Sequence, residues 1–283
     1  MHSLPRKARN FIRSLAAGLA AAGLLASTPS SAQGDLLVAP TRVIINNRGT
    51  AQVVLSNIGE KETTYRITAE LKRMTKDGML EPVDKKDATA AEKAALDMIR
   101  YYPRQVPLPP GQPQVLRLTA RPAPDLPDGE YRIHLAFKGL PDVKPVDKQA
   151  DANANQGLSI NLIPIYSISI PIIVRKGNLT ATAAISNPRI EQGPDGKAMF
   201  KLDMSRSGTA SVFGEIRVMK PGKSDPVFLI RGIAIYPELT QRSLEMPLNA
   251  DEAAAMKGPV TVEYRELPEN GGALLASVKA TLG

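Results

Sequence analysis

The sequence predicts an all-β chain folded as two β-sandwiches. Apolar and polar residues alternate with period two along most of the chain, the mark of half-buried strands. Turn residues interrupt these runs about every 8–12 residues, the spacing of sandwich strands. A length of 283 residues with 43% apolar content suggests two cores rather than one.

Leu37 to Ile45 reads as a first strand, closed by Asn46-Asn47-Arg48-Gly49. Thr50 to Asn57 follows. In Thr63 to Met74, Tyr65, Ile67, Ala69 and Leu71 share one face, opposite Arg66, Thr68, Glu70 and Lys72. Residues 75–98 are an insertion carrying a short helix from Thr89 to Asp97. Ile99 to Pro107 and Gln114 to Arg121 flank the turn Pro109-Pro110-Gly111, and Gly129 to Gly139 is the next strand. Residues 141–157 form a long polar loop, and loops beyond about 12–15 residues usually have a function or no fixed fold. From 158 to 174 every even position is apolar, ending at Val174; Arg175-Lys176-Gly177 then reads as a linker or corner. Seven further strands follow, with a helical turn over Asn249 to Met256, so each half has roughly seven and resembles an immunoglobulin-like sandwich.

Residues 1–32 read as a cleaved export signal. Arg6, Lys7, Arg9 and Arg13 make a basic start, Leu15 to Ala26 contains Leu, Ala and Gly alone, and Ser30-Ser31-Ala32 supplies the small residues of a cleavage site. The apolar run is shorter than the roughly 20 residues of a membrane-spanning helix. The formal charge is +8, from 36 basic and 28 acidic residues. Removing the signal takes four basic and no acidic residues, which leaves +4 and weakens the case for a polyanion partner. The mature chain is expected to be soluble and exported, with no membrane insertion.

The chemistry of most enzymes is missing. Zero Cys removes disulfides, thiolate metal sites and cysteine nucleophiles, and His134 is the one histidine after the signal. His134 is expected at the solvent or at an interface. No phosphate loop, nucleophile elbow or zinc helix is present. Asp84 and Asp87 sit beside Lys85 and Lys86 in a solvated turn, and the Asp-Gly pairs are turn chemistry. No aromatic cluster is interleaved with basic residues for nucleic-acid stacking. The expectation is therefore no enzyme, no cofactor, no metal and no nucleic acid.

What stands out is the run from Gly157 to Val174. Its length exceeds the roughly 5–6 residues of an ordinary strand. Tyr166 to Val174 suffices to complete the first core, and Leu158 to Leu162 extends beyond it. Two readings stay open on periodicity: a strand packed within its own sandwich, or an edge offered to a partner by strand addition, with Leu158, Ile160 and Leu162 filling the partner's core.

The sequence resembles the periplasmic chaperones of the chaperone–usher pilus pathway. The resemblance rests on Ala39-Pro40-Thr41-Arg42-Val43, Val54-Leu55-Ser56-Asn57, Tyr102-Pro103-Arg104-Gln105-Val106 with Leu108-Pro109-Pro110-Gly111, Leu126-Pro127-Asp128-Gly129-Glu130-Tyr131, and Ile170-Pro171-Ile172-Ile173-Val174-Arg175. Ser205-Arg206-Ser207-Gly208 and Arg231 to Tyr236 look like the family's second domain. The resemblance implies two immunoglobulin-like domains in a boomerang, residues 33–175 and 176–283. It implies a pilin-like client lacking its last strand, completed by the donor strand and then passed to an outer-membrane usher. Self-association is the other way a free donor edge could be capped. A pair of basic residues anchors the client's terminal carboxylate in the family, and one of them matches Arg42. The other, a lysine, falls by register on Pro171, with Ser169 one step back on the same face. Either Arg42 acts alone, or another basic residue such as Arg104 substitutes, or the client is held differently. The alternative reading is a structural adhesin or pilus component; a carbohydrate-binding module lacks the aromatics for sugar stacking.

Overall fold

Alternation along the chain is realised as seventeen strands among the described residues, 36–141 and 165–283 of a computed structural model. Residues 1–32, expected to be an export signal, and Leu158, Ile160 and Leu162, expected to be donor residues, lie outside them.

The first sandwich has two sheets. In one, β1 (Leu36–Ala39) pairs with β3 (Gly49–Asn57), then β8 (Pro113–Ala120), then β6 (Ile99–Tyr102). In the other, β2 (Val43–Asn46) lies beside β10 (Ser167–Lys176), followed by β9 (Gly129–Gly139) and β4 (Thr63–Met74). The far edge of β4 carries β5 (Leu80–Val83) and β7 (Gln105–Leu108). Antiparallel strands one, three, six and eight against four, nine and ten reproduce the immunoglobulin division of strands. A second signature agrees: the Tyr131 hydroxyl, near the start of β9, donates to the Pro127 carbonyl at 2.6 Å, the tyrosine corner of this architecture.

Some expected boundaries were too simple. The first strand is two strands in different sheets, because the chain crosses the sandwich at Pro40, which has no N–H for a ladder. Ile99 to Pro107 likewise splits at Pro103 into β6 and β7. Arg175 and Lys176 are no linker: they pair with Glu130 and Gly129 on β9, and the corner comes at Gly177, whose φ is +80°. The insertion holds an unforeseen strand, β5, before α1 (Ala90–Met98). Thr89 caps α1 through a capping box with Glu92, and Arg73 of β4 grips that carboxylate with bonds of 2.7 and 2.6 Å.

Val53, Leu55, Ile67, Leu116, Leu118, Ile133, Leu135, Ile170, Ile172 and Val174 fill the first core. Inward positions of β10 are thus the even ones, as alternation requires. The second sandwich stacks β11 (Ala181–Gln192), β12 (Ala198–Gly208) and β15 (Gln241–Pro247) against β14 (Phe228–Ile235), β13 (Val212–Met219), β16 (Gly258–Arg265) and β17 (Leu274–Leu282). α2 (Ala250–Met256) is capped by Asn249, and Phe200, Leu202, Ile216, Val262 and Tyr264 centre a separate core. β13 bulges at Gly214, where a side chain would collide with the Arg265 carbonyl. Arg206, buried, donates to the carbonyls of Pro237, Leu239, Gly208 and Ala210 and so fixes two turns at once.

Candidate functional site

Arg42 lies between β1 and β2, where the chain changes sheets, so its side chain leaves the first sandwich and meets the second. Nη1 donates to the Tyr236 hydroxyl at 3.1 Å and Nη2 to Ser211 Oγ at 2.9 Å. The guanidinium lies 4.5 Å from the Phe213 ring centroid and 5.5 Å from that of Tyr236. Burial holds its pKa below the usual arginine value, although Tyr236 and Glu130 act the other way. It remains a cation, as arginine does. Among the described residues no carboxylate is within ion-pair distance of it, and its Nε is buried without a partner. A desolvated guanidinium in an aromatic frame and with no directly bonded anion among the described residues suits a carboxylate, which a guanidinium can bind through two parallel bonds.

Other groups complete this junction. Glu130 Oε2, fully buried, accepts Arg175 Nε at 3.1 Å, the Ser211 N–H at 3.0 Å and Ser211 Oγ at 2.9 Å. Arg132 stacks 3.5 Å from the Tyr236 ring centroid and bonds Glu238 at 2.6 Å. Met74, Ile173, Ala234 and Tyr236 form the apolar contact between the sandwiches.

The outer face of the β10 sheet continues the site. Pro171 opposes His134, which opposes Glu70; Ser169 opposes Ala136, and Ile173 opposes Arg132. Lys72 Nζ donates to Ser169 Oγ at 3.0 Å. His134 is not at the solvent: it is 1% exposed, and neither ring nitrogen has a hydrogen-bond partner. Burial first, then Arg132, Lys72 and Arg42, lowers its pKa to about 3, so it is neutral. Arg104 does not join Arg42; it stacks 4.7 Å from the Tyr101 ring on a different part of the first sandwich. The sequence reading missed Lys72, Arg132, Glu130 and Ser211. Parity did place Lys72 on the outer face of β4, which was the available signal.

The edge of β10 is unevenly used. Its pairing with β9 runs the whole strand, Ser167 to Lys176. Its pairing with β2 is parallel and covers Ile172 to Arg175. Ser167 to Pro171 therefore has, among the described residues, no strand on its other side. That open edge ends at the position beside Val43, where Arg42 stands.

No protein-family model matches the chain, and no curated protein matches it. Solved structures similar to it include a chaperone–tip adhesion subunit pre-assembly complex from the archaic chaperone–usher Csu pili of Acinetobacter baumannii. That similarity has 11% identity and a TM-score of 0.46, over 88% of this chain and 100% of that one. The SafA pilin of Salmonella enterica in complex with the SafB chaperone is similar at 15% identity and a TM-score of 0.44, over 88% and 97% of the two chains. The YadV chaperone is similar at 13% identity and a TM-score of 0.46, over 88% and 100%.

Proposed function

We propose that this chain is a periplasmic pilus-assembly chaperone that captures an incomplete immunoglobulin-like pilin by donating the edge of β10. The observation that carries this reading is an open strand edge ending at a buried guanidinium without an anion. A guest strand added at Ser167 to Pro171 continues the line of β2, so its end abuts Arg42. A guest running parallel to β10 brings its C-terminal carboxylate there. Main-chain bonds along the edge supply affinity, and the motifs of the sequence agree with the assignment. Leu158, Ile160 and Leu162 extend the same edge into the guest's core, each contributing about 1.5–3 kcal/mol when buried. Residues 1–32 are the export signal, 33–175 the donor domain and 176–283 the second domain; an outer-membrane usher receives the client. Binding needs neither nucleotide nor metal.

The test is co-expression with a pilin-like subunit and measurement of soluble complex. The double change Ile160→Ser and Leu162→Ser should abolish complex, and Arg42→Gln should weaken capture of a subunit with a free C-terminal carboxylate. Wild-type yield from the double variant would defeat the donated-strand reading, and unchanged capture by Arg42→Gln would remove the anchor.

A further inference from the structure

A single unpaired rung lies on β4 at Ala69, between β7 and β5, at a groove none of whose residues belongs to the Arg42 site. On the edge away from β9, β4 pairs with β7 from Thr63 to Arg66 and with β5 from Leu71 to Met74. Ile67 is still held there: its N–H donates to the Arg104 carbonyl at 2.8 Å, and its carbonyl accepts the Tyr101 hydroxyl at 3.4 Å. Backbone groups of a strand alternate in direction, so Ala69, two residues on, turns its N–H and C=O to the same side. Among the described residues no strand pairs with Ala69 on that side.

A groove of about 750 Å³ opens at this gap. Arg66, Lys85, Lys93, Arg100 and Arg104 line it, from β4, the turn before α1, α1, β6 and the segment after β6, and Asp97 is its one carboxylate. All five cations are exposed, and none is ion-paired among the described residues. Five cations against one carboxylate leave a local excess of four positive charges. Beneath them Ile67, Ile99 and Tyr101 are buried and Leu96 is half-buried, which gives the groove an apolar floor.

We infer that this groove binds an acidic polypeptide segment, one residue of which pairs its backbone with Ala69 while its carboxylates stand against the five cations; β7 and β5 turn the rest of the segment off the β4 edge and across the groove. Charge complementarity selects the acidic partner, and the free N–H and C=O of one rung above an apolar floor select a peptide backbone over a lipid surface. Cations standing around a cleft suit a narrow chain. A flat membrane would meet the outermost of them.

The probe is a nine-residue peptide of alternating Glu and Val, blocked at both ends and titrated into the full chain by fluorescence anisotropy. It should bind, and the matching Lys–Val peptide should not. N-methylation at alternate residues, which deletes backbone donors and keeps every carboxylate, should weaken binding about tenfold or more. The triple change Arg66→Glu, Lys93→Glu and Arg100→Glu should do the same. Equal binding of the N-methylated peptide would overturn the backbone pairing at Ala69. No binding of the acidic peptide, or tighter binding to phosphatidylglycerol vesicles than to it, would overturn the inference as a whole. Should the triple variant fail to fold, the peptide arms on the native chain decide the matter.

Discussion

His134 gives a stability signature of the junction that needs no client. The imidazole is buried between Arg132, Lys72 and Arg42, with Glu70 opposite it on β4, and its pKa in the fold is about 3. In the unfolded chain it is about 6.5. A group whose folded pKa is depressed in this way binds its proton first in the unfolded state. Above pH 6.5 neither state is protonated and stability is full; below it the unfolded state takes up a proton that the folded state refuses, so stability falls as pH falls. Between about pH 8 and about pH 5 the loss works out to about 2 kcal/mol, nearly all of it below about pH 6.5, where the slope approaches the limit of about 1.4 kcal/mol per pH unit for one proton. The variant His134→Gln keeps a polar group of similar size and cannot titrate. Urea unfolding of both proteins at several pH values in that range isolates the histidine, since titrations common to both cancel in the difference. The wild type should lose about 2 kcal/mol relative to the variant on going from pH 8 to pH 5. A difference that stays flat would refute the argument, and would mean that the ring is hydrated or hydrogen-bonded in solution.

Two further changes test the frame around it. Glu130→Ala removes the acceptor of Arg175 Nε and of both Ser211 donors, and should cost about 3 kcal/mol in denaturant unfolding, the low end for a broken buried pair because Arg175 keeps some exposure. Gly214→Ala places a methyl against the Arg265 backbone at the β13 bulge, and should lower stability by about 1–3 kcal/mol, read as a lower melting temperature.

Much of this architecture was legible because alternation is a strong signal when one face of a strand is buried. Gly129–Gly139 and Thr63–Met74 have the limits their patterns indicate. The pattern failed where the backbone changes direction without a change of composition. Leu37 to Ile45 is apolar on both sides of Pro40 without clean alternation, so no period marked the split, in which the inward positions pass from Leu36 and Val38 to Val43 and Ile45 as the chain changes sheets. The site was legible in part. Arg42 could be singled out from its motif. Its surroundings could not, because Ser211, Phe213 and Tyr236 lie some 170–190 positions away in sequence and are brought to it by the packing of one sandwich on another. Of the two places expected for His134, the solvent and an interface, its burial excludes the first; parity placed it on the outer face of its sheet, and alternation carries no signal for what covers that face.

The crossing at Pro40 has a further consequence. A strand has two faces, and a slip of one residue exchanges them, so any guest laid along β10 needs its register fixed to within a single position. The edge itself offers repeating, nearly identical rungs and is a poor judge of position. Because β2 starts only at Val43, the lane beside β10 is closed at one end by the chain's own backbone, and a guest can advance no farther than Arg42. Under the proposed reading the lane acts as a ruler with a stop. It counts residues back from the guest's terminus, and the parity of that count decides which of the guest's side chains turn inward.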